Sequence, residues 1–390
     1  MKKILYTFLA AVLLTAYSCG GNANSSGNGN GSGNNTENDS GGGTDPGSGT
    51  DPGGSGETPS ASAVFAKGAD IGWVTEMEAK GYKFYDASGK ETECTALMKS
   101  LGLNSVRYRV WVNPSAGYNN KADVLVKCLR AKELGMQIMI DFHYSDTWAD
   151  PSKQIVPAAW QGYTAAQMAD AVSAHTKDVL QTLKDNGVEV TWVQVGNEVT
   201  PGMLIHKGRE GSLSEMASSV SGKVSGSDTG HFTDYFSAGY DAVKSVYPSA
   251  EVILHIDNAW KLGTLTWFFD LMATKNLTYD MIGLSLYPSY WEGSGYPDWS
   301  SKCTQALSNF KTLHDKYSKP VMLVEFGMPA AEPENAKAAL KAILDGTADY
   351  DWFKGVFYWE PESEKSRNGY DYGAFSGGRS TGVIDIFSQY

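Results

Sequence analysis

Val193-Gln194-Val195-Gly196-Asn197-Glu198 is the stretch from which the fold of this chain can be inferred. Its apolar, β-branched start follows Trp192 and contains no proline, which is typical of a buried strand. It ends in a polar pair, and regular structure should stop near Pro201. A carboxylate at the carboxyl end of a buried strand is a catalytic position in α/β barrels, although such a glutamate can equally cap a helix or face water.

Other apolar segments of this kind alternate with helical patterns along the chain. The predicted strands are 68–73, 104–111, 137–143, 193–198, 251–257, 281–286, 320–326 and 355–359. The predicted helices are 94–101, 122–134, 165–183, 231–246, 267–274, 301–317 and 333–344, the last closed by Gly346. This alternation predicts a (β/α)₈ TIM barrel, an α/β fold, as a single catalytic domain over 63–390. An open doubly wound sheet fits less well, because no glycine-rich phosphate loop follows the first strand.

The amino-terminal segment has the features of an export signal. Lys2 and Lys3 precede an apolar run over 4–16, which is too short for a membrane span. We therefore expect a signal peptide over 1–18 and a lipidated Cys19, with ordinary secretion as the alternative. The Gly-, Ser- and Asn-rich segment 19–62 is expected to be a disordered tether. The expected location is a membrane-anchored lipoprotein on the outer-membrane cell surface, or else in the periplasm.

The amino-acid composition limits the classes of molecule that the domain is expected to bind. The formal net charge is −12 without a long basic run, which argues against nucleic acid. Eleven Trp and 21 Tyr suit a carbohydrate groove as well as a core. No metal-type spacing of Cys or His occurs, and the remaining cysteines, Cys94, Cys128 and Cys303, are odd in number. A Cys94–Cys128 disulfide and free thiols both remain open.

Polar and aromatic residues follow nearly every predicted strand, and in a barrel these ends share one face. The candidate substrate-binding residues are Asp70, Arg109, His143, Asp146, Trp148, Asn197, Asp257, Asn258, Trp260, Tyr287, Trp291 and Trp359. A purely structural barrel would not need polar strand ends at so many positions. The set predicts a binding groove at the barrel mouth.

Two carboxylates are the candidate catalytic groups. Glu198 ends strand four and Glu325 ends strand seven, so the two can face each other across the mouth. Glycoside hydrolysis uses two such carboxyls, about 5–5.5 Å apart for retention and about 6.5–9.5 Å apart for inversion. Glu360 competes for the second role, but strand alternation turns it away from Trp359. Arg107 and Arg109 share one face of strand two, and an ion pair of Glu325 with either is expected; Arg109, nearer the mouth, is a plausible partner.

Several motifs together resemble one enzyme family. They are Gly68-Ala69-Asp70-Ile71, Val106-Arg107-Tyr108-Arg109-Val110-Trp111, Asp141-Phe142-His143-Tyr144-Ser145-Asp146-Thr147-Trp148-Ala149-Asp150-Pro151, Val193-Gln194-Val195-Gly196-Asn197-Glu198, His255-Ile256-Asp257-Asn258-Ala259-Trp260 and Ile282-Gly283-Leu284-Ser285-Leu286-Tyr287-Pro288. In this order, over about 65–390, they resemble glycoside hydrolase family 53, the endo-β-1,4-galactanases.

The resemblance implies a clan A barrel and a retaining double displacement. It implies that Glu198 is the acid/base, that Glu325 is the nucleophile and that Asn197 holds the substrate 2-hydroxyl. The sequence departs from the family pattern after the nucleophile, in Phe326-Gly327-Met328-Pro329. The short segment 330–335 lacks the calcium loop of some members, so no calcium is expected there.

The expected activity is therefore endo-hydrolysis of the β-1,4-galactan side chains of pectin by a monomer that needs no cofactor. Another clan A activity, mannanase or xylanase, is one alternative. A surface glycan-binding protein without catalysis is the other.

Overall fold

A computed structural model describes residues 64–290, 295 and 297–390. The signal peptide, Cys19 and the tether predicted from the sequence lie outside the described residues, as does Trp291. Within the described part of the chain, no helix is both long enough and apolar enough to cross a membrane.

Eight parallel strands form a closed barrel, which confirms the predicted fold class. Around the barrel, each strand pairs with the strands before and after it in this series, and the last pairs with the first. The strands are β1 (Ala66–Asp70), β2 (Ser105–Val110), β3 (Gln137–Phe142), β4 (Trp192–Val195), β5 (Glu251–Ile256), β6 (Met281–Leu286), β7 (Val321–Phe326) and β8 (Phe353–Trp359).

Helices follow the strands around the outside of the barrel. They are α1 (Val74–Ala79), α2 (Cys94–Ser100), α3 (Lys121–Glu133), α4 (Ala165–Asp185), α5 (Phe232–Val246), α6 (Leu262–Thr274), α7 (Trp299–Tyr317), α8 (Pro333–Thr347) and the short α9 (Lys365–Asn368). Several begin at capping side chains: Asn120 caps α3, Thr164 forms a capping box with Gln167, and Asp298 caps α7.

The helices differ from the sequence prediction in several places. The helix α1 was not predicted, and α6 begins five residues before the predicted start at 267. Gly346 does not end α8, which continues to Thr347. A Cβ at Gly346 would lie 2.7 Å from a methyl carbon of Leu307 on α7, so this glycine permits close packing between the two helices.

The loops carry short two-stranded sheets and 3₁₀ turns. The antiparallel pairs are Phe84–Tyr85 with Glu91–Thr92, Gly202–Met203 with Gly222–Lys223, His206–Arg209 with Ser212–Glu215, and Phe375–Ser376 with Arg379–Ser380. The 3₁₀ turns are Ala158–Trp160 and Ile384–Gln389. Two of these pairs lie in the long connection from β4 to α5, beside the barrel mouth.

An apolar layer fills the lower part of the barrel. Its members are contributed by seven of the eight strands: Ala66, Met139, Trp192, Ile253, Met281, Met322, Val324 and Phe357. Gly68 faces the same interior, and a Cβ there would lie 2.2 Å from a ring carbon of Phe357. The layer therefore leaves no room for a larger residue at position 68, and the polar side chains of the barrel mouth lie above a closed, dry floor.

The three cysteines of the described chain are buried free thiols. Cys94 and Cys128 belong to the main apolar cluster between the barrel and its helices. The structure thus contains no Cys94–Cys128 disulfide, and both residues act as small apolar side chains.

Candidate active site

A cleft of about 700 Å³ opens at the carboxyl ends of the barrel strands. Its walls combine carboxylates, amides and aromatic rings. The lining residues are Trp73, His143, Trp148, Ala149, Asp150, Pro151, Ser152, Lys153, Asn197, Glu198, Asp257, Asn258, Ser285, Tyr287, Tyr290, Glu325, Trp359, Asn368, Gly369 and Tyr370. Both predicted catalytic carboxylates are therefore in the same cleft, among aromatic side chains.

Glu198 reaches the cleft through a turn of unusual backbone geometry. Strand β4 ends at Val195, and Gly196 and Glu198 then adopt φ values of 88° and 45°. The left-handed conformation is uncommon for a glutamate and is often found at functional sites. The backbone N–H of Glu198 donates to His255 Nδ1 at 3.2 Å, which attaches the turn to β5.

Glu325 reaches the cleft because β7 contains a bulge. Pairing between β6 and β7 shifts from Leu284 with Leu323 to Ser285 with Glu325, so Val324 has no partner of its own. Val324 lies in the apolar layer and Glu325 lines the cleft, so two consecutive side chains both face the interior. Strict alternation would have turned one of them outward.

Arg107 connects the polar side chains that lie between the apolar floor and the cleft. Its guanidinium is 1% exposed and lies 2.9 Å from Glu325 Oε1, 2.9 Å from Asp70 Oδ2 and 3.0 Å from Asp141 Oδ2. Its Nε donates to Gln194 Oε1 at 2.6 Å and its Nη2 to Asn197 Oδ1 at 2.8 Å. The phenol of Tyr287 donates to Glu325 Oε2 at 2.8 Å. Glu325 thus has a cation and a hydroxyl donor as partners.

Of the two arginines that the sequence offers as partners of Glu325, Arg107 pairs with it and Arg109 does not. Arg109 forms an ion pair with Glu360 and lies 3.6 Å from Asp70 Oδ1. Its guanidinium carbon also lies 4.4 Å from the ring centroid of Trp148. Both arginines point inward, but Arg109 is one step farther along β2 and meets the wall between β8 and β1 instead.

The two catalytic candidates titrate differently because their neighbours differ. Burial, and then the negative charge of Glu325, raise the pKa of Glu198 well above its usual range. Burial also raises the pKa of Glu325, but the Arg107 charge opposes that rise. Glu198 is therefore the carboxyl that retains a proton, and Glu325 is the one that ionises first.

His143 and Asp141 support the cleft from below. His143 Nδ1 accepts hydrogen bonds from Ala149 N–H at 3.0 Å and from the Trp111 indole at 3.2 Å. Its Nε2 must then donate to Asp141 Oδ2, 3.0 Å away. Burial raises the pKa of Asp141, but Arg107 and then His143 outweigh it, and the net shift is downward.

Nine predicted catalytic and substrate-binding residues line the cleft, and four lie elsewhere. The nine are His143, Trp148, Asn197, Glu198, Asp257, Asn258, Tyr287, Glu325 and Trp359. Asp70 and Arg109 are buried beneath the cleft as ion-pair partners. Asp146 accepts from the backbone N–H groups of Asn113 and Ala158 and so ties two loops together. Trp260 lies on the ammonium groups of Lys261 and Lys302.

Several lining residues were not predicted from the sequence. Most of them come from loops rather than from strand ends: Trp73, Asp150, Pro151, Ser152, Lys153, Tyr290 and Tyr370, together with Asn368 at the end of α9 and Ser285 on β6. For Asp150 and Pro151 the signal was available, because they close the strand-three motif that contains Trp148. Ser285 also follows from strand parity, since it shares the inward face of β6 with Met281 and Gly283.

The aromatic side of the cleft is a cluster of rings in edge contact. Trp73 lies 5.4 Å from both Trp148 and Trp359 and 5.9 Å from Tyr370, measured between ring centroids. Tyr370 lies 4.7 Å from Trp359. Such a wall offers flat apolar surface to the C–H faces of a sugar. No group of three or more His, Cys, Asp or Glu side chains in the described residues is arranged to hold a metal ion.

Comparison with known proteins agrees with this geometry. A probable arabinogalactan endo-β-1,4-galactanase A from Neosartorya fischeri is 30% identical, and the match covers 77% of this chain and 85% of that protein. The arabinogalactan endo-β-1,4-galactanase of Thermothelomyces thermophilus is 28% identical over 77% of this chain and 90% of its own. A bacterial relative, an uncharacterized protein from Niallia circulans, is 34% identical over 68% of each chain.

Solved structures show the same fold. A structure of fungal β-1,4-galactanases superposes with a TM-score of 0.72 at 25% identity and covers 84% of this chain and 100% of that one. The GH53 catalytic domain of Ignisphaera aggregans gives a TM-score of 0.67 at 22% identity, with 84% and 97% coverage. The family model of Glycosyl hydrolase family 53 matches residues 66–351, which include seven of the eight barrel strands. The chain therefore belongs to glycosyl hydrolase family 53.

Proposed function

We propose that this protein is a retaining endo-β-1,4-galactanase that acts on the galactan side chains of pectin. The observation that carries the proposal is the placement of Glu198 and Glu325 in one aromatic cleft of a family 53 barrel. The names of the relatives from Neosartorya fischeri and Thermothelomyces thermophilus support the substrate.

In the first step, Glu325 attacks the anomeric carbon while Glu198 donates its proton to the departing glycosidic oxygen. A C–O bond to the leaving sugar breaks, and a C–O bond to Glu325 forms. In the second step, Glu198 takes a proton from water, and the resulting hydroxyl group displaces Glu325. Arg107 and Tyr287 fit this role for Glu325, because both favour its ionised form.

Asn197 is placed to hold a sugar hydroxyl next to the nucleophile. Its Oδ1 accepts from Arg107, and its Nδ2 donates to Ala149 O at 2.8 Å. An amide nitrogen carries two protons, so one donor remains for a hydroxyl of the substrate. This supports the role in binding the 2-hydroxyl that the family resemblance implies.

The proposal is tested with a panel of polysaccharides and two variants. Linear β-1,4-galactan should release reducing ends, and mannan and xylan should not. Glu325→Ala and Glu198→Ala should each lower the rate on galactan by several orders of magnitude, with unchanged circular dichroism. Azide should restore bond cleavage in Glu198→Ala on a substrate with a good leaving group and yield a β-configured glycosyl azide.

Two alternative functions give different outcomes in the same panel. Faster cleavage of mannan or xylan would assign another clan A activity, and binding of galactan without release of reducing ends would indicate a glycan-binding protein. An α-configured azide product, or wild-type activity in Glu325→Ala, would refute the retaining two-glutamate mechanism.

We infer in addition that the domain is a monomer attached through lipidated Cys19 to the outer face of the outer membrane. The support is the apolar segment 4–16 before Cys19 and the Gly-, Ser- and Asn-rich stretch that follows. Cys19→Ala should release the protein from the membrane fraction. Degradation by protease added to intact cells would support the surface location, and protection would favour the periplasm. Sedimentation of the released protein should give the mass of a single chain if the domain is a monomer.

A further inference from the structure

A chain of hydrogen bonds runs behind the cleft from the ion-pair partner of Glu325 to a serine that lines the cleft together with Glu198. It begins at Arg107, which is paired directly with Glu325. It continues through Gln194 and His255 to Ser285, and both Ser285 and Glu198 hydrogen-bond to the His255 ring and line the same cleft. Arg107, Gln194, His255 and Ser285 are each no more than 1% exposed, so water does not compete for these bonds.

The direction of every bond in this chain is fixed by its first member. Arg107 Nε can only donate, so the oxygen of the Gln194 amide faces it, at 2.6 Å. The Gln194 nitrogen then faces His255 Nδ1 at 2.7 Å and must be the donor. The backbone N–H of Glu198 also points to His255 Nδ1, at 3.2 Å. Two donors at one ring nitrogen make Nδ1 an acceptor.

The tautomer of His255 follows, and with it the role of Ser285. Burial lowers the pKa of His255 well below its usual range, and the Arg107 charge adds to this effect, so the ring is neutral. A neutral ring that accepts at Nδ1 carries its proton on Nε2, which donates to Ser285 Oγ at 2.8 Å. The Ser285 hydroxyl has thereby received a hydrogen bond, and its own proton is left for the carboxyl of Glu198.

We propose that Ser285 is a positioning residue for the acid/base, whose hydroxyl donates to the Glu198 carboxylate as negative charge develops there. The proposal rests on the proposed function, in which Glu198 protonates the leaving oxygen. During that step the glycosidic C–O bond breaks, the bond to Glu325 forms, and the proton leaves Glu198 for the departing oxygen. The hydrogen bond from Ser285 strengthens as the carboxyl becomes a carboxylate, so it stabilises the transition state more than the ground state.

Ser285 also limits how far the surroundings suppress ionisation of Glu198. Burial and the charges of neighbouring carboxylates raise the pKa of Glu198, and the Ser285 hydroxyl lowers it. The ionisable groups that face Glu198 are Glu325 on β7, Asp257 after β5, Asp150 after β3, and the phenols of Tyr287 and Tyr290 after β6. Ser285 is thus a neutral donor beside a carboxyl that is surrounded mainly by acidic groups.

The experiment compares Ser285→Ala with wild type on two substrates. Linear galactan has a sugar leaving group that needs protonation, and a dinitrophenyl β-galactobioside has a leaving group that does not. We expect kcat/KM of Ser285→Ala to fall roughly tenfold on galactan and to change less than about twofold on the dinitrophenyl substrate. The basic limb of the pH profile on galactan should move upward by roughly half to one pH unit, because Glu198 loses a donor to its ionised form.

Two further variants separate this role from a structural one. Ser285→Thr retains the hydroxyl and should recover most of the activity on galactan. Ser245→Ala removes an exposed serine hydroxyl from α5, whose partner is the carbonyl of Ala242, and should leave both substrates unaffected. Equal losses on both substrates, or an unmoved basic limb, would overturn the proposal for Ser285. Azide rescue of Glu198→Ala reports separately on the acid/base itself, so failure of the proposed function and failure of this inference are distinguishable.

Discussion

Glu362 is the buried carboxyl whose replacement tests the electrostatics beneath the cleft most directly. Its side chain is fully buried, and in the described part of the chain no Lys or Arg side chain forms an ion pair with it. Its neighbour is Glu360, which is ion-paired with Arg109. Contact between two carboxyls becomes a hydrogen bond only if one of them holds a proton. Burial, and then the charge of Glu360, raise the pKa of Glu362 well above its usual range, so Glu362 is the protonated member.

The sign of the effect on stability follows from linkage. In the unfolded chain a glutamate loses its proton at about pH 4.3, the pKa of an unperturbed side chain. The folded protein keeps the proton to higher pH, so it binds more protons than the unfolded chain between the two pKa values. The free energy of unfolding therefore falls as pH rises through this window, by up to about 1.4 kcal/mol per pH unit. Below the pKa of the unfolded chain, both states are protonated and this loss of stability does not occur.

Glu362→Gln removes this loss while it retains the hydrogen bond. The amide cannot ionise, has nearly the shape of the protonated acid and can donate to Glu360. We expect equal stability of variant and wild type near pH 4 and a more stable variant at higher pH. Two pH units above the unfolded pKa, the gain should approach, but not exceed, about 3 kcal/mol.

Urea unfolding between about pH 4 and pH 7, followed by tryptophan fluorescence, measures the difference. Glu133→Gln is the matched control, because it makes the same substitution at an exposed position at the end of α3. A Glu362→Gln variant that is less stable than wild type at neutral pH would refute the reasoning. It would mean that Glu362 is ionised and has a cation or donor as partner.

Three further predictions concern the barrel and its mouth. Glu325→Gln removes a negative charge that raises the pKa of Glu198, so that pKa should fall; a carbon NMR titration that finds it unchanged or higher would contradict the interpretation. Gly68→Ala should lower the free energy of unfolding by about 1–3 kcal/mol or more, since its Cβ would lie 2.2 Å from the Phe357 ring. Lys127→Met should lower the free energy of unfolding by about 3–5 kcal/mol, because it leaves the Asp123 carboxylate on α3 and the Gly72 carbonyl without their buried cation. A urea midpoint equal to that of wild type would show that water replaces the ammonium group.

The barrel could be predicted from the sequence because its strands are buried on both faces. Most of the strands read as short apolar runs, and the polar residues that follow them mark the mouth. Chain order then places Glu198 at the end of the fourth strand and Glu325 at the end of the seventh. These inferences need only the repeat of strand and helix, which a sequence displays directly.

The details of the site depend on features that the periodic pattern of apolar residues in the sequence does not show. Glu325 faces inward because a bulge adds one residue to β7, and strict alternation with Val324 gives the opposite answer. Arg107 and Arg109 lie two residues apart on the same face of β2, so they meet different partners. The pattern of alternation does not indicate which partner each of them meets. Trp73 and Tyr370 come from loops, where no repeat indicates the direction of a side chain.

Separate parts of the chain build the floor and the walls of the cleft, and this has a consequence for how such enzymes diversify. Arg107, Gln194, His255 and Glu325 belong to barrel strands and rest on the apolar layer, whereas many of the wall residues belong to loops that follow those strands. Loop replacement can therefore alter which sugars are held and how many, without moving the groups that break the bond. Chimaeras that exchange the segment 364–383 between relatives should keep the same pH dependence of cleavage while the lengths of their products change.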